Sequence, residues 1–310
     1  MDHASSQAAP ALEAAPCPAC GAAPAGALQS VAVPDHEYGL AHRATYVRCS
    51  ACGSEYQQPM PGPDELASFY PPNYHSMTGG GLLLRMRHDV RARRLARLLT
   101  GDGAVLDYGC GDGGFLVHAA RKLPGRRWYG YEIASRPERI ELAAGAVTLV
   151  RGDLDDLLAV LPECRLITMN HVIEHLPQPL ATLTRLCERL LPGGVFEGQT
   201  PAAGSLEHRL FKTRWSGYHA PRHTIVFSPD GLRRLLERAG LRDVAIEGTF
   251  NPAGLALSLA SVRHGDAPGV LVRQGFGWLA WLGVAAALSP IDLLSGAPAV
   301  VDFAARKPEA

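Results

Sequence analysis

The stretch Val105-Leu-Asp-Tyr-Gly-Cys-Gly-Asp-Gly-Gly-Phe115 decides how the rest of the chain is interpreted. Residues 104–106 form a short apolar run that predicts a buried strand, and residues 115–122 have the spacing of an amphipathic helix. Alternating glycines between them let the backbone turn tightly and approach a ligand without a β-carbon in the way. A strand, a glycine turn and a helix in this order predict a nucleoside-binding site.

Two acidic residues later in the chain sharpen this prediction. Residues 127–133 predict a second strand, and its Glu132 follows the glycines by about 20 residues, where an acid that binds a ribose diol is expected. Residues 147–153 predict a third strand that ends in Asp153. Ligand sites at strand ends are general to this architecture, so an NAD-type dehydrogenase or a non-binding domain stays an alternative. The spacing G-x-G-x-G differs from the G-x-G-x-x-G of pyrophosphate binding.

The acids and glycines at these strand ends resemble those of the class I S-adenosylmethionine-dependent methyltransferases. The resemblance implies a Rossmann-like, doubly wound α/β sheet of seven strands with S-adenosylmethionine at its carboxyl edge. It also implies that the acid after strand two holds the ribose hydroxyls and that the acid after strand three lies by the adenine amine. The residues expected to bind the cofactor are Asp107, Gly109, Cys110, Gly111, Gly113, Glu132, Asp153, Leu154 and Asn170.

Composition sets broad limits on the protein. The 310 residues, 47% of them hydrophobic, can form one large domain, here 102–310, with a small appendage. Thirty basic and thirty acidic residues balance, which argues against attraction to nucleic acid. Residues 1–16 lack the basic and apolar regions of a signal peptide and are expected to be a disordered tail. We therefore expect a cytoplasmic protein whose seven cysteines are thiols or metal ligands.

Four cysteines form two knuckles, Cys17-Pro-Ala-Cys20-Gly and Cys49-Ser-Ala-Cys52-Gly. Two intervening residues let both sulfurs face one ion, so Cys17, Cys20, Cys49 and Cys52 predict a structural zinc in a ribbon-like module over 17–60. Unmetallated or redox-active C-x-x-C pairs are the alternative, but no βαβ pattern accompanies them. Four thiolates would close the coordination sphere, so this zinc is expected to do no chemistry.

A linker with helices is expected over 61–101. Its Tyr70 and Tyr74 follow a proline-rich stretch, and together with the knuckles they resemble a bacterial subgroup of class I methyltransferases that act on sugars, secondary-metabolite precursors or lipid-linked intermediates. The two tyrosines are expected either to cover the cofactor pocket or to pack a short helix. The arginines of the helix predicted over 82–99 are expected to face water.

The acceptor site is expected where residues 166–175 end a fourth strand in Glu-His, an ending that is common in the family. His171 or His175 is a candidate general base and Glu174 its orienting partner, although a local structural role is equally open for either histidine. His171, Glu174 and His175 also spell H-x-x-E-H, a zinc-peptidase pattern that requires a formed helix. Because an apolar strand precedes this sequence and Pro177 follows it, we do not expect a peptidase.

Segment 202–228 is rich in aromatic and titratable residues, which favours an acceptor-binding lid. His219 and His223 are further catalytic candidates. Arg222 is expected either to bind an acidic group of the acceptor or to pair at the surface.

Strands six and seven, expected over 244–250 and 300–306, flank an apolar insertion over 252–298. Its uncharged run 275–290 is shorter than the roughly 20 residues that span a bilayer, and Pro290 is expected to close it. We expect an interfacial or substrate-covering helical hairpin, which would bind a lipid-linked acceptor, contact the inner face of the membrane, or form a homodimer.

These features predict direct methyl transfer from S-adenosylmethionine to a small-molecule, sugar or lipid-linked acceptor, without a catalytic metal. Oxygen is the favoured methyl acceptor and carbon the next. A ribosomal-RNA methyltransferase would need a basic surface stripe and stays an alternative. A non-catalytic scaffold that binds the cofactor is the other.

Overall fold

The protein is described by a computed structural model over residues 15–24, 29–70, 81–134, 138–142, 145–264, 269 and 277–309. Most of the expected tail, residues 1–14, lies outside these ranges, as do Tyr74 and Gly275. Two sheets organise the described residues, one small and antiparallel, the other large and mostly parallel. The cysteine knuckles lie with the small sheet and the glycine turn with the large one.

The small sheet is built from two distant parts of the chain. Strands β1 (Ser30–Pro34), β2 (Arg43–Arg48) and β3 (Glu55–Gln57) pair antiparallel in chain order. The fourth strand, β10 (Ile225–Val226), pairs with β3 and comes from the segment 202–228. The N-terminal module therefore shares one sheet with the segment expected to cover the acceptor.

The large sheet follows the strand order β11-β12-β9-β8-β4-β5-β7-β6. The pairs β4–β5, β5–β7, β4–β8 and β8–β9 are parallel, whereas β12 pairs antiparallel with both β9 and β11. Its elements, with the helices α1 to α7, are α1 (Pro63–Ser68), α2 (Leu82–Leu98), β4 (Ala104–Tyr108), α3 (Gly114–Lys122), β5 (Trp128–Ile133), β6 (Glu138–Leu142), β7 (Val147–Gly152), α4 (Leu154–Val160), β8 (Cys164–Asn170), α5 (Pro179–Glu188), β9 (Leu190–Pro201), α6 (Leu206–Phe211), α7 (Pro229–Arg238), β11 (Arg242–Gly248) and β12 (Val300–Arg306).

Helices cover both faces of this sheet. Successive residues of a strand point to opposite faces, so Val105 packs with α2 and α3 while Leu106 packs in the core that contains α4, α5 and α7. The same alternation separates Leu166 from Ile167 on β8. The predicted doubly wound α/β fold is confirmed.

The large sheet has eight strands, one more than the seven that were predicted. Residues 138–142 form β6, which pairs antiparallel with β7 at the edge of the sheet. Its sequence Glu-Arg-Ile-Glu-Leu is mostly charged and exposed, so it lacks the apolar pattern of a buried strand. An edge position tolerates such a composition because charged side chains there discourage pairing with other chains.

Two arginines of α2 do not face water as expected. Arg91 places Nη2 2.6 Å from Oδ1 of Asp107, and Arg94 places Nε 3.0 Å from Oε2 of Glu197. Arg94 also pairs with Asp302. Asp107 and Glu197 are almost completely buried, and buried carboxylates need such partners. The solvated-face prediction is therefore wrong for Arg91 and Arg94.

The insertion before the last strand is helical, as predicted. It contains α8 (Pro252–His264) and α9 (Gly277–Leu294), which pack on one another through Leu255, Ala256 and Ala285. Helix α9 continues through Pro290 to Leu294, so Pro290 ends the uncharged run without ending the helix. Among the described residues no helix has the length and apolar character needed to cross a membrane.

Glu207 links the segment 202–228 to α9 and gives a pH prediction. Burial, with a further contribution from the charge of Asp292, raises the pKa of Glu207 to about 8, against an opposing hydrogen bond from Trp215. The folded state therefore keeps a proton that the unfolded chain releases near its ordinary pKa. This contribution to stability is complete below that ordinary value and is lost as pH rises toward about 8.

We expect Glu207→Gln to be more stable than the wild type at about pH 8 and to lose less stability between about pH 5 and pH 8. Thermal unfolding at both pH values measures this difference. Glu188→Gln on the exposed face of α5 is the control, and it should follow the wild-type curve. Parallel curves for Glu207→Gln and the wild type would contradict the prediction.

Candidate active site

The glycine turn between β4 and α3 has a backbone that other residues cannot adopt without strain. Gly109, Gly111 and Gly113 all have positive φ, of 79°, 60° and 78°. A β-carbon on Gly109 would lie 2.3 Å from Cγ2 of Val172, so the turn packs directly against the segment that follows β8. The cofactor loop and the expected acceptor segment are therefore in contact.

Glu132 lies at the end of β5 and holds this turn. Its Oε2 accepts a hydrogen bond from the Gly111 backbone N–H at 2.7 Å. Burial raises the pKa of Glu132, with the Gly111 hydrogen bond opposing that effect. The side chain remains partly exposed, so a carboxylate is available beside the loop where a ribose diol would be bound.

Asp107 and Asn170 meet through Arg91. Burial raises the pKa of Asp107, although the charge of Arg91 opposes the rise. With the Asn170 amide oriented to satisfy its neighbours, its oxygen accepts from Arg91 Nη2 at 2.8 Å and Nε at 3.0 Å. The Arg91 guanidinium also lies 3.8 Å from the ring centroid of Phe115. Arg91 thus joins the carboxyl ends of β4 and β8, which the sequence reasoning missed.

The remaining cofactor candidates have local structural roles as well. Asp153 caps α4, because its Oδ1 accepts from the backbone N–H of Asp156 at 2.9 Å. Leu154 is the first residue of that helix and is partly buried. The thiol of Cys110 packs against Gly130 on β5, where an added β-carbon would lie 2.7 Å from Sγ.

All five catalytic candidates come together in what we call the histidine cluster, formed by His171, Glu174, His175, His219 and His223. Residues 173–175 form a 3₁₀ turn after β8, and His219 and His223 precede β10. The rings of His175 and His223 are 4.6 Å apart, and those of His219 and His223 are 5.0 Å apart. Segments separated by about 50 residues therefore build one site.

Glu174 is the completely buried centre of this cluster. Its Oε1 lies 3.2 Å from Nδ1 of His171, and its Oε2 accepts from the Thr200 hydroxyl at 3.0 Å. Burial by itself would raise the pKa of Glu174, but the hydrogen bond and charge of His171 outweigh burial and lower it. Glu174 is thus held as a carboxylate.

Both ring nitrogens of His171 and His219 are engaged. His171 Nε2 lies 2.8 Å from Oε1 of Gln199, whose amide nitrogen donates to Asp302 and fixes that orientation. His219 Nδ1 lies 2.7 Å from Oε2 of Glu37, and its Nε2 accepts from Arg222 Nε at 3.0 Å. These two rings orient other groups and have no electron pair directed at an acceptor.

His175 and His223 differ because each keeps one nitrogen with an electron pair. Nδ1 of His223 lies 2.8 Å from the Gly217 carbonyl and Nδ1 of His175 lies 3.1 Å from the Arg222 carbonyl. A carbonyl only accepts, so we assign the proton to Nδ1 in both rings, and the Tyr70 hydroxyl, 2.9 Å from Nδ1 of His175, is then an acceptor as well. Burial lowers the pKa of His175 to about 4 and that of His223 well below the usual range. Both rings are therefore neutral with an unprotonated Nε2.

The H-x-x-E-H sequence does not form the helix of a zinc peptidase. His171 has a left-handed φ of 52°, and only three residues, 173–175, form a 3₁₀ turn. The two histidines are not one turn apart on a helix, as that arrangement requires. The structure agrees with the expectation that this sequence is not a peptidase site.

Arg222 was expected to bind the acceptor or to pair at the surface. It does neither. It is completely buried and pairs with both carboxylate oxygens of Asp35, at 2.9 and 3.1 Å. It also donates to the Phe69 carbonyl at 3.0 Å, next to Tyr70, whose hydroxyl lies 2.9 Å from Nδ1 of His175. The N-terminal module thus supports the backbone that carries the histidine cluster.

The four knuckle cysteines converge at the other end of the small sheet. The Cys17 and Cys52 sulfurs are 3.8 Å apart and those of Cys20 and Cys49 are 3.7 Å apart. A tetrahedral ion with Zn–S bonds of 2.3 Å requires sulfur separations of about 3.8 Å. The set therefore fits a tetrahedral zinc ion.

Comparison with known proteins decides the family. A family model described as a methyltransferase domain matches residues 83–246, which include the glycine turn, Glu132 and the turn carrying Glu174. The chain belongs to the class I S-adenosylmethionine-dependent methyltransferases. The prediction of an S-adenosylmethionine-dependent enzyme is confirmed, and the scaffold alternative is not supported.

Several relatives of this methyltransferase have names or structures. Ubiquinone biosynthesis O-methyltransferases from two strains of Cereibacter sphaeroides are 32% identical over 171 residues, which cover 51% of this chain and 68% of theirs. A methyltransferase structure from Archaeoglobus fulgidus aligns with a TM-score of 0.47 and 21% identity over 72% of this chain and 94% of that one. The structure of phosphoethanolamine N-methyltransferase 2 from Haemonchus contortus aligns with a TM-score of 0.47 and 17% identity. This alignment covers 79% of this chain and 56% of that one.

Proposed function

We propose that this methyltransferase transfers the methyl group of S-adenosylmethionine to a hydroxyl oxygen of a small molecule. The observation that carries the proposal is the histidine cluster, which packs against the cofactor loop through Val172 and contains two neutral imidazoles with an unprotonated nitrogen. The named relatives support oxygen as the methyl acceptor, because they are O-methyltransferases of ubiquinone biosynthesis. Methyl transfer to a sugar, to a lipid-linked acceptor or to carbon stays an untested prediction.

The residues of the glycine turn fit the proposed cofactor seat. The left-handed glycines give the loop a backbone that other residues cannot adopt without strain, and the Glu132 carboxylate lies beside them. We infer that Glu132 holds the ribose hydroxyls, that Asp153 and Leu154 lie by the adenine, and that Asp107 and Asn170 act through Arg91. Bound there, S-adenosylmethionine supplies an electrophilic methyl group.

The acceptor hydroxyl needs help to lose its proton, and this step depends on His175 and His223. These are the two cluster histidines whose hydrogen bonds leave one ring nitrogen with an electron pair. His171 and His219 instead orient Glu174 and Arg222. Their substitution should affect activity through the positions of those neighbours.

We expect His175→Ala and His223→Ala each to lower kcat by roughly a hundredfold to ten-thousandfold, the usual range for loss of an acid–base group. Turnover with a panel of hydroxylated aromatic compounds measures this effect. His118→Ala, far from the cluster beside Asp89, is the matched control and should retain wild-type turnover. Unchanged turnover in both cluster variants would remove these roles.

We also propose that Cys17, Cys20, Cys49 and Cys52 bind a structural zinc. The second knuckle holds α7, because the Ser228 hydroxyl donates to the Cys52 carbonyl at 2.5 Å and caps that helix. Loss of the ion should therefore loosen the junction between the small sheet and the methyltransferase domain.

We expect Cys17→Ser to lose its zinc and to unfold roughly 10 °C lower than the wild type, because metal binding contributes directly to folding. Elemental analysis and calorimetry test both points. Cys187→Ser, on the buried face of α5, is the control and should keep its zinc. A full zinc content in Cys17→Ser would contradict the proposal.

The helical insertion stays a candidate contact surface. Leu279, Ile291 and Leu294 on α9 are each more than half exposed. Their exposure supports the expectation of a peripheral membrane contact or a homodimer, without favouring one of the two. Sedimentation with and without lipid vesicles separates these possibilities.

A further inference from the structure

Besides the four cysteines, a second set of side chains that could bind a metal ion lies within the histidine cluster. Glu174, His175 and His223 each bring one potential ligand atom to within 4.8 Å of the others. Glu174 and His223 are buried, whereas His175 is partly exposed. The group therefore has two inner members and one that faces the open side.

The contact between Glu174 and His223 is the second observation. Nε2 of His223 lies 3.8 Å from Oε1 of Glu174. Because Nδ1 of His223 bonds to the Gly217 carbonyl, Nε2 is the ring atom that is left to bind a cation together with the buried Glu174 carboxylate. A cation bound between these two atoms would place a positive charge beside the buried carboxylate.

The separations of these ligand atoms are close to those around a tetrahedral zinc ion, although slightly longer. Nitrogen and oxygen ligands 2.0–2.1 Å from a tetrahedral zinc are about 3.4 Å apart. The 3.8 Å contact is only a few tenths of an ångström longer, and the third ligand atom lies within 4.8 Å of the other two. The cysteine sulfurs already have tetrahedral spacing, so the histidine site is the looser of the two.

We propose that Glu174, His175 and His223 bind a divalent cation, best matched by zinc, and that its open coordination position binds the acceptor oxygen. Two imidazoles and one carboxylate with an exchangeable position are typical of catalytic rather than structural zinc sites. The proposal rests on the proposed function, and it gives His175 and His223 the role of ligands in place of the role of bases, with the same expected loss of turnover in their variants. It replaces the expectation of methyl transfer without a catalytic metal.

The ion activates the hydroxyl by lowering its pKa. The hydroxyl loses its proton to solvent on binding the cation, and the resulting oxyanion attacks the methyl carbon. An O–C bond forms while the C–S bond breaks, and its electron pair returns to sulfur. His171 and Thr200 orient the Glu174 ligand by hydrogen bonds to its two oxygens.

Metal content tests this site without reference to activity. Protein saturated with zinc and then desalted should contain two zinc ions per chain in the wild type, and one in Glu174→Gln and in His175→Ala. His118→Ala is the matched control and should contain two. One ion per chain in the wild type would overturn the proposal, as would two ions in both cluster variants.

Cobalt replacement shows which site each ion occupies and whether each variant is folded. Cobalt at the four cysteines gives intense sulfur-to-metal charge-transfer absorption, whereas cobalt bound by nitrogen and oxygen gives only weak visible bands. Every folded variant should retain the charge-transfer bands, and Glu174→Gln and His175→Ala should lose the weak ones. Wild type with a single cobalt and normal methyl transfer overturns the metal site and leaves the proposed function standing. Two ions without transfer to any hydroxyl overturn the proposed function instead.

Discussion

Replacement of Arg222 by alanine should lower the free energy of unfolding by about 3–5 kcal/mol, the usual cost of leaving a buried charge without its partner. Arg222 and Asp35 have side chains with no exposed surface, and the guanidinium contacts both carboxylate oxygens. Its charge helps to keep the pKa of Asp35 low although burial acts in the opposite direction. Without Arg222 the carboxylate would remain in the interior unpaired.

Urea denaturation of the intact protein measures this loss. Arg222→Lys should recover only part of it, because lysine keeps the charge but cannot contact both oxygens. Arg233→Ala, at an exposed position of α7, is the matched control and should change stability little. A loss below about 1 kcal/mol in Arg222→Ala would show that the buried pair does not hold the two parts of the protein together.

Replacement of Glu132 by alanine should weaken S-adenosylmethionine binding by at least a hundredfold. Loss of charged hydrogen bonds to the ribose costs about 3 kcal/mol, which corresponds to that ratio of dissociation constants. The change also removes the acceptor of the Gly111 N–H and so loosens the glycine turn. Calorimetric titration with S-adenosylmethionine and with S-adenosylhomocysteine measures the effect.

Glu132→Gln separates these two contributions. A glutamine oxygen can still accept from Gly111, so this variant should keep the turn and lose only part of the affinity. Glu141→Gln on the edge strand β6 is the control and should bind as the wild type does. Wild-type affinity in Glu132→Ala would place the ribose elsewhere.

The elements around the cofactor could be predicted because each has a local signal. The apolar run before Asp107 forms β4, and the three glycines form the tight turn that was expected between this strand and α3. These patterns depend on residues within a few positions of one another.

The features that were missed depend on contacts between distant segments. The charges of Arg91 and Arg94 resemble a solvated helix face until Asp107 and Glu197 are placed below them. The pairing of β10 with β3 and the burial of Arg222 against Asp35 join positions more than 160 residues apart. No periodicity in a single segment contains that information.

The acceptor site lies between these two cases. His171, Glu174, His175, His219 and His223 could be chosen by residue type, and the structure brings them together. Which of them keeps an electron pair follows only from the partners Gly217, Gln199 and Glu37, which the sequence does not place near them. The proposed division of the four histidines into two that orient and two that activate therefore depends on contacts that only the structure supplies.

The most direct test of the account is the fate of a labelled methyl group. Wild-type protein is incubated with S-adenosylmethionine that carries a ¹³C-labelled methyl group and with a simple catechol, and the products are followed by carbon NMR. We expect a methoxyl carbon signal and S-adenosylhomocysteine in equal amounts, both strongly reduced in His175→Ala and His223→Ala. A label that appears on carbon, or a methoxyl signal that both variants retain, would contradict oxygen methylation at the histidine cluster.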